Sequence, residues 1–292
     1  MRPYPTPRFQ VPATDRPSYG GSLVATAARL GVPLMGWQEM VSGIALEHDG
    51  GQLAYRDVAV STPRQSGKST LTLALVVSRM LAAPGQTVVY ASTTRLAART
   101  KLFDKWWPRL RRSPLRDMFT LTRATGAEAL RAANGSTMYL LSADEGAGHG
   151  EVVDLAVLDE CWRLDAAAEQ AVRPAMATRR NGQLWALSTA GTERSVFWRS
   201  KVDAGRTVAE LGLAEGMAYF EWSAADGADV TDPGGWPAFM PALNVTIDPA
   251  TVAADLAGMD EGEWRRAYAN QWPDAAGGWH AIPKDVWEAA RL

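Results

Sequence analysis

Apolar positions along this chain fall into short unbroken runs separated by longer stretches of helical spacing. Residues 54–62 (AYRDVAVST) are rich in β-branched types and predict a strand, and residues 67–81 (GKSTLTLALVVSRML) predict an apolar helix. Residues 86–92 (QTVVYAS) predict a second buried strand. A helix is expected from residue 94 to residue 107, ended or kinked by Pro108. Residues 119–125 and 138–142 read as strands, with Asn134-Gly135 a two-residue hairpin signal between Ala129 and Leu141. Residues 154–158 (DLAVL) form an apolar strand that runs into Asp159-Glu160. A helix over 165–180 and a buried strand over 183–188 (QLWALS) follow. Such alternation implies an α/β fold: a mainly parallel sheet covered on both faces, with ligands at the carboxyl ends of its strands.

After Ser195 the texture changes. A helical VFWRSKVDAGR is followed by a strand-like GMAYFEWS, a Pro/Gly-rich run, and two helices over 249–259 and 261–272. The expected division is a proline-rich extended arm (1–30), a core (31–194), a smaller lid or linker subdomain packed on the sheet (195–272), and a Gly-rich C-terminal linker (273–292).

Composition narrows the options. A chain of 292 residues, 47% hydrophobic and 21% charged, has the balance of a globular protein with a sizeable core. Lys+Arg 30 against Asp+Glu 32 gives a formal net charge of -2, so any contact with a polyanion must be local. The single Cys161 excludes an internal disulfide and fits a reducing compartment. No apolar run reaches the roughly 18 residues of a membrane span, and the N-terminus lacks a signal-peptide core. A soluble, cytoplasmic protein is expected. His48, His149 and His280 have no metal-ligand spacing with Cys161, which reads as a small packing residue.

Candidate chemistry centres on residues 61–70, STPRQSGKST. Gly67-Lys68-Ser69 closes a phosphate loop of the form G-x-x-x-x-G-K-[ST], but Thr62 stands where its first glycine belongs. Between a strand and a helix, the backbone of Thr62, Pro63, Arg64, Gln65, Ser66, Gly67, Lys68, Ser69 and Thr70 can cradle phosphates. Lys68 would neutralise them and Ser69 would ligate Mg²⁺. A plain strand-to-helix turn is the alternative for the triplet alone. Asp159-Glu160 shifts the balance, because a neighbouring strand end then offers one carboxylate to the metal and a second to activate water. A helix cap is the other reading of that pair.

PRQSGKS resembles the altered phosphate loop of viral terminase large subunits, and more of the chain matches. Gly36-Trp37-Gln38 looks like the family's adenine-recognition segment, and VLDECWRL is similar to its second phosphate motif. LWALSTAGT resembles the coupling motif, here Ser188, Thr189, Ala190 and Gly191. Ala242-Leu243-Asn244 and EWRRAYANQW resemble the end of the ATPase region. The resemblance spans about residues 33–272. It implies a P-loop NTPase fold of the ASCE type, ATP as substrate with Mg²⁺ held by Ser69 and Asp159, Gln38 at the adenine, and catalysis by Lys68, Glu160 and Arg64. It further implies a motor that moves double-stranded DNA into a procapsid. The implied partners are the portal protein, a terminase small subunit and copies of itself in a ring, a pentamer by resemblance. The implied place is the host cytoplasm, with transient docking on the procapsid and absence from the mature virion.

Two departures follow. His149 stands where many relatives carry an arginine offered to a neighbour's ATP, and a mostly neutral imidazole cannot replace a bidentate guanidinium. Arg64 is then the candidate acting within its own subunit. After Trp272 only Asp274, Asp285 and Glu288 are acidic, too few for the family's two-metal nuclease, so endonuclease activity is not expected of this chain. Lys101, Lys105, Arg109 and Arg112, interleaved with Phe103, Trp106 and Trp107, read either as a DNA-tracking stripe or as a solvated helix face. The rival readings are another strand-translocating ATPase such as a helicase, and a catalytically idle fragment that docks on portal or small subunit.

Overall fold

In the computed structural model, which describes residues 4–141 and 152–273, the N-terminal arm is extended as far as a short strand, β1 (Phe9–Gln10). Two helices follow, α1 (Gly20–Arg29) and α2 (Gly36–Ala45). They cross where Gly20 lies so close that a Cβ would sit 2.7 Å from the Ser42 carbonyl oxygen. A small hairpin of β2 (His48–Asp49) and β3 (Gln52–Leu53) leads into β4 (Tyr55–Ser61), whose last four residues are buried. The apolar run after the loop forms α3 (Lys68–Ala82), and β5 (Thr87–Ala91) returns through the core.

The expected helix before Pro108 is neither ended nor simply kinked there. α4 (Arg95–Thr100) passes into a π-helical turn (Lys101–Trp106) and continues as α5 (Trp107–Arg112). The wider turn resets the hydrogen-bond register, so Pro108 falls in the first turn of α5, where its missing N–H costs little. The wider turn also alters the spacing assumed for the basic stripe.

β6 (Phe119–Thr122), β7 (Ala129–Ala132) and β8 (Thr137–Leu140) form an antiparallel meander. The hairpin at Asn134-Gly135 is present, but its connection covers residues 133–136 rather than two. The Asn134 Oδ1 accepts from the Ser136 N–H at 3.1 Å, and its Nδ2 donates to the Met80 carbonyl at 2.9 Å, which holds the wider loop against α3. Ser142, the expected end of β8, lies outside the described residues.

β9 (Leu155–Asp159) is buried throughout; α6 (Ala166–Met176) is capped by the Asp165 carboxylate, and β10 (Gln183–Ser188) is again wholly buried. α7 (Val196–Glu210) then packs on the sheet, while β11 (Gly216–Glu221) joins it as a further strand instead of lying on it. α8 (Pro249–Gly258) and α9 (Glu261–Tyr268) complete the described chain.

Among the described residues, the main sheet has nine strands in the order β1-β11-β4-β10-β9-β5-β8-β7-β6, with β11, β4, β10, β9, β5 and β8 parallel. One apolar cluster packs α1, α2 and α3 on one face, and a second packs α6 and α7 on the other. Fully buried Trp37, Trp185 and Trp198 anchor these layers, and burying a side chain of that size stabilises by about 3 kcal/mol. A third cluster gathers residues from Ala224 to Ala269 around Trp236 and Trp264.

Candidate functional site

Three neighbouring strand ends set the geometry. β10 lies between β4 and β9, with Ser188 opposite Ser61 and Leu187 opposite Asp159. The loop leaving β4 and the acids leaving β9 therefore emerge at one sheet edge, separated by a single strand. They line one cleft of about 580 Å³, walled by the loop from Arg64 to Thr70 and by Thr93, Glu160, Trp162, Arg163 and Thr246.

The loop does not need glycine at its first position. Thr62 is fully buried and still follows the strand, its N–H donating to the Ser188 carbonyl at 3.0 Å. Left-handed backbone falls later, at Gln65 (φ 61) and Gly67 (φ 95). At Gly67 a Cβ would lie 2.5 Å from Met35 Cε and 2.8 Å from Gln38 Nε2, so both conformation and space require glycine.

Gln38 is fully buried beneath that turn. Its Oε1 accepts the Met35 N–H at 2.7 Å and its Nε2 donates to the Gly67 carbonyl at 2.9 Å, which braces the loop.

Lys68 opens α3 with its ammonium turned inward. Nζ donates to the carbonyls of Thr62 (3.1 Å) and Pro63 (2.9 Å), to Thr62 Oγ1 (3.3 Å) and to Thr189 Oγ1 (3.1 Å). Burial lowers its pKa to about 8, against the opposing pull of Glu160 and Asp159. Pro63 and Thr70 sit at the two ends of the turn, Pro63 buried and Thr70 half-buried. Ser69 is exposed on the cleft wall, while the buried Ser66 hydroxyl has no partner among the described residues.

Asp159 is 1% exposed and held from two sides. Its Oδ2 accepts from the Tyr90 hydroxyl at 2.8 Å and pairs with the Lys101 ammonium, while Oδ1 accepts the Glu160 N–H at 3.0 Å. Burial raises the Tyr90 pKa well above its ordinary value and keeps the phenol a donor. Lys101, expected on an outward stripe, is therefore turned into the site, because a buried carboxylate at the neighbouring strand end needs a cation. Lys105, Arg109 and Arg112 are not drawn into it.

Glu160 adopts a left-handed conformation (φ 59), and its Oε2 accepts the Trp162 indole N–H at 3.0 Å. The turn also reaches the end of β10 and the residues after it. The Trp162 N–H donates to Ser188 Oγ at 3.0 Å, and Ser195 Oγ donates to the Trp162 carbonyl at 2.6 Å. Gly191 has no room for a side chain, since a Cβ would meet Ser195 Cβ at 2.3 Å. Ala190 is buried beside it, with its N–H bonded to Asn270.

The structure thus brings Arg64, Lys68, Ser69 and Glu160 to one cleft, with Asp159, Ser188 and Thr189 directly behind it. His149, His280, Asp274, Asp285 and Glu288 lie outside the described residues. Sequence reasoning missed Tyr90 and Asn270 and placed Lys101 on a basic stripe instead, because their partners are distant in the chain; Trp162, two residues from Glu160, was not singled out. The donor set suits a hard cation beside phosphates: an exposed serine hydroxyl, a buried carboxylate and unpartnered backbone at a helix start. Both Asp159 oxygens are engaged, Oδ2 by Tyr90 and Lys101 and Oδ1 by the Glu160 N–H, so a cation would reach this carboxylate through water or after withdrawal of Lys101. The Cys161 thiol is buried, donates to the Leu158 carbonyl and is kept neutral by burial, as fits a packing residue. No described helix is long and apolar enough to cross a membrane.

Residues 60–203 match the family model described as terminase large subunit, T4-like-virus type, N-terminal. Among solved structures, the HK97 bacteriophage large terminase superposes with a TM-score of 0.75 at 19% identity, over 87% of this chain and 55% of that one. The Thermus phage P74-26 large terminase ATPase domain gives 0.57 at 16% identity, over 88% of this chain and 99% of that one. The large terminase of another thermophilic bacteriophage, in complex with ATP-γ-S, gives 0.52 at 10% identity, over 75% of this chain and 48% of that one. At these identities the likeness is one of fold. The chain spans about half the length of the HK97 protein. No curated protein matches the sequence.

Proposed function

We propose that this chain, homologous over residues 60–203 to terminase large subunits, is the ATP-hydrolysing part of a motor that drives double-stranded DNA into a procapsid. One observation carries the reading: Lys68 and Glu160 face the same cleft from two different strand ends. In one of the thermophilic bacteriophage structures the related fold is in complex with ATP-γ-S.

In this reading residues 62–70 cradle the triphosphate, and Lys68 leaves its loop carbonyls for the outer phosphates. Ser66 supplies an unengaged hydroxyl. Ser69 and Asp159 would hold Mg²⁺, which supplies charge neutralisation at the phosphates when bound. Glu160, fixed by the Trp162 indole, orients and deprotonates the attacking water. Arg64 faces the developing charge. Gln38 governs the loop from below, and an adenine contact would require its amide to exchange one of its two backbone bonds. Thr189, the Lys68 partner, is placed to register phosphate loss, and Ser188, Ala190 and Gly191 to pass it on.

The proposed division is an N-terminal arm, an ATPase core that includes β11, a lid or linker subdomain built on the cluster between Ala224 and Ala269, and a C-terminal linker. Portal protein, a terminase small subunit and a homo-oligomeric ring are the proposed partners, and the host cytoplasm the proposed place of action.

The test is ATP turnover with and without double-stranded DNA, for the wild type, Lys68→Ala and Glu160→Gln. An active, DNA-stimulated wild type with both variants reduced to background supports the motor. Equal background in all three rejects it and leaves a docking fragment.

A further inference from the structure

Around Trp162 the structure gathers more positive charge than it neutralises. Arg64 lies over the indole at 5.9 Å, Arg163 at 4.4 Å and Arg266 at 4.7 Å. Among the described residues neither Arg64 nor Arg163 belongs to an ion pair. Arg266 has one distant carboxylate, Glu263 at 3.9 Å, and its buried Nη1 has no hydrogen-bond partner among the described residues. The same indole donates to Glu160. Three guanidiniums thus converge where one carboxylate stands, and two of them, Arg64 and Arg163, line the cleft. Like charges packed so closely persist when an anion is expected among them.

Arg266 differs from the other two in its origin. It sits on α9, more than a hundred residues along the chain from Trp162, in the part gathered around Trp264. α9 touches the phosphate loop directly, since the Arg64 N–H donates to the Ala267 carbonyl at 2.7 Å.

We propose that Arg266 is a receptor for the terminal phosphate of the bound nucleotide, carried by α9 and completed by Arg64 and Arg163. This rests on the reading of the cleft as an ATP site and deepens it. With a triphosphate bound, the planar guanidinium turns its free Nη1 toward the outermost phosphate oxygens and draws α9 onto the loop. With a diphosphate the anion is too short, and Arg266 returns to the indole. The nucleotide state is thereby written into the position of α9. The lowered pKa of Arg266, caused by burial first and then by the Arg64 charge, accords with a cluster that lacks its counter-ion.

The experiment measures affinities for ATP-γ-S and for ADP, each with Mg²⁺, by calorimetry on the wild type, Arg266→Ala and Arg266→Lys, together with thermal unfolding without nucleotide. The expected result is a loss of about 10- to 100-fold in ATP-γ-S affinity for Arg266→Ala, with ADP affinity within about twofold of wild type. Arg266→Lys, with one point charge in place of a fork, loses several-fold for ATP-γ-S alone and carries the test if Arg266→Ala does not unfold cooperatively. Equal losses for both nucleotides, or none, overturn the proposal and leave Arg266 a packing residue. A wild type that binds neither nucleotide overturns the ATP reading and this inference with it.

Discussion

Asn270 Oδ1 accepts the backbone N–H of Ala190 at 2.6 Å, joining the end of α9 to the segment that follows β10. The other half of the same amide donates to Ser61 Oγ at 2.9 Å and to the Trp222 carbonyl at 2.8 Å. One fully buried side chain therefore ties together the ends of β4, β10 and β11, and its own backbone is left-handed (φ 52), where asparagine is tolerated better than most residues. Asn270→Ala leaves a buried N–H and a buried carbonyl without partners. The expected loss is about 3 kcal/mol, read from urea unfolding of the chain. Asn270→Asp keeps the acceptor but loses both donations and buries a charge, so it is expected to be no better. A change under about 0.5 kcal/mol for Asn270→Ala contradicts this role.

Thr189 is the contact between the loop lysine and the segment that follows β10. Thr189→Val preserves shape and removes the oxygen that Lys68 reaches at 3.1 Å. Three other acceptors remain on Lys68, so the loop keeps its form. The expected outcome is a fall of about tenfold in kcat with ADP affinity nearly unchanged, and recovery in Thr189→Ser. Equal loss in the serine variant would mean that shape, not the hydroxyl, is what the site uses.

Gly67→Ala should damage the loop by two routes at once. The positive φ costs an alanine about 1 kcal/mol, and the new methyl would press on Met35 Cε and Gln38 Nε2. Met35 can yield, being the flexible end of a side chain, but moving Gln38 breaks its bond to the Gly67 carbonyl. Nucleotide affinity is expected to drop at least tenfold while the fold survives. Met35→Ala combined with Gly67→Ala should recover little of it, because the Gln38 contact persists; full recovery would show that Met35 alone is the obstacle.

The parallel core was legible because buried strands such as β9 and β10 have a local signature: unbroken apolar runs ended by polar residues at the ligand edge. The loop and the acidic pair were legible for the same reason, each being a short contiguous motif at a strand end. What escaped was created by approach in space. Lys101 looked like one of four outward cations, and only the fold brings it to Asp159, while the π-turn after Thr100 changes the face on which each following residue lies. β11 read as part of an appendage because nothing in GMAYFEWS tells that its partner is β4. Gln38 was read as an adenine-recognition residue by resemblance alone; that both ends of its amide meet backbone is a matter of tertiary placement.

Glu221 supplies a pH-dependent term remote from the cleft. Its carboxylate is fully buried and takes a fork from Arg206, at 2.8 Å from Nε and 2.7 Å from Nη2, with further donors from Tyr219 and Ser223. Burial opposes the charged form, but the Arg206 bonds and the two hydroxyls prevail and hold its pKa below the ordinary 4.5. Because the folded value is depressed, the unfolded chain takes up this proton first as pH falls. The stabilisation is therefore whole above the unfolded value, shrinks as pH drops from there through the folded one, and is gone below it. Glu221→Gln removes that window and leaves Arg206 without its counter-charge, at a cost of about 3 kcal/mol at pH 7. Urea midpoints measured from about pH 3 to pH 8 should fall more steeply below pH 4.5 in the wild type than in the variant, the two curves converging toward acid. Curves that stay parallel to the acid end of that range would mean that the Arg206 pair contributes nothing to the stability of the sheet edge.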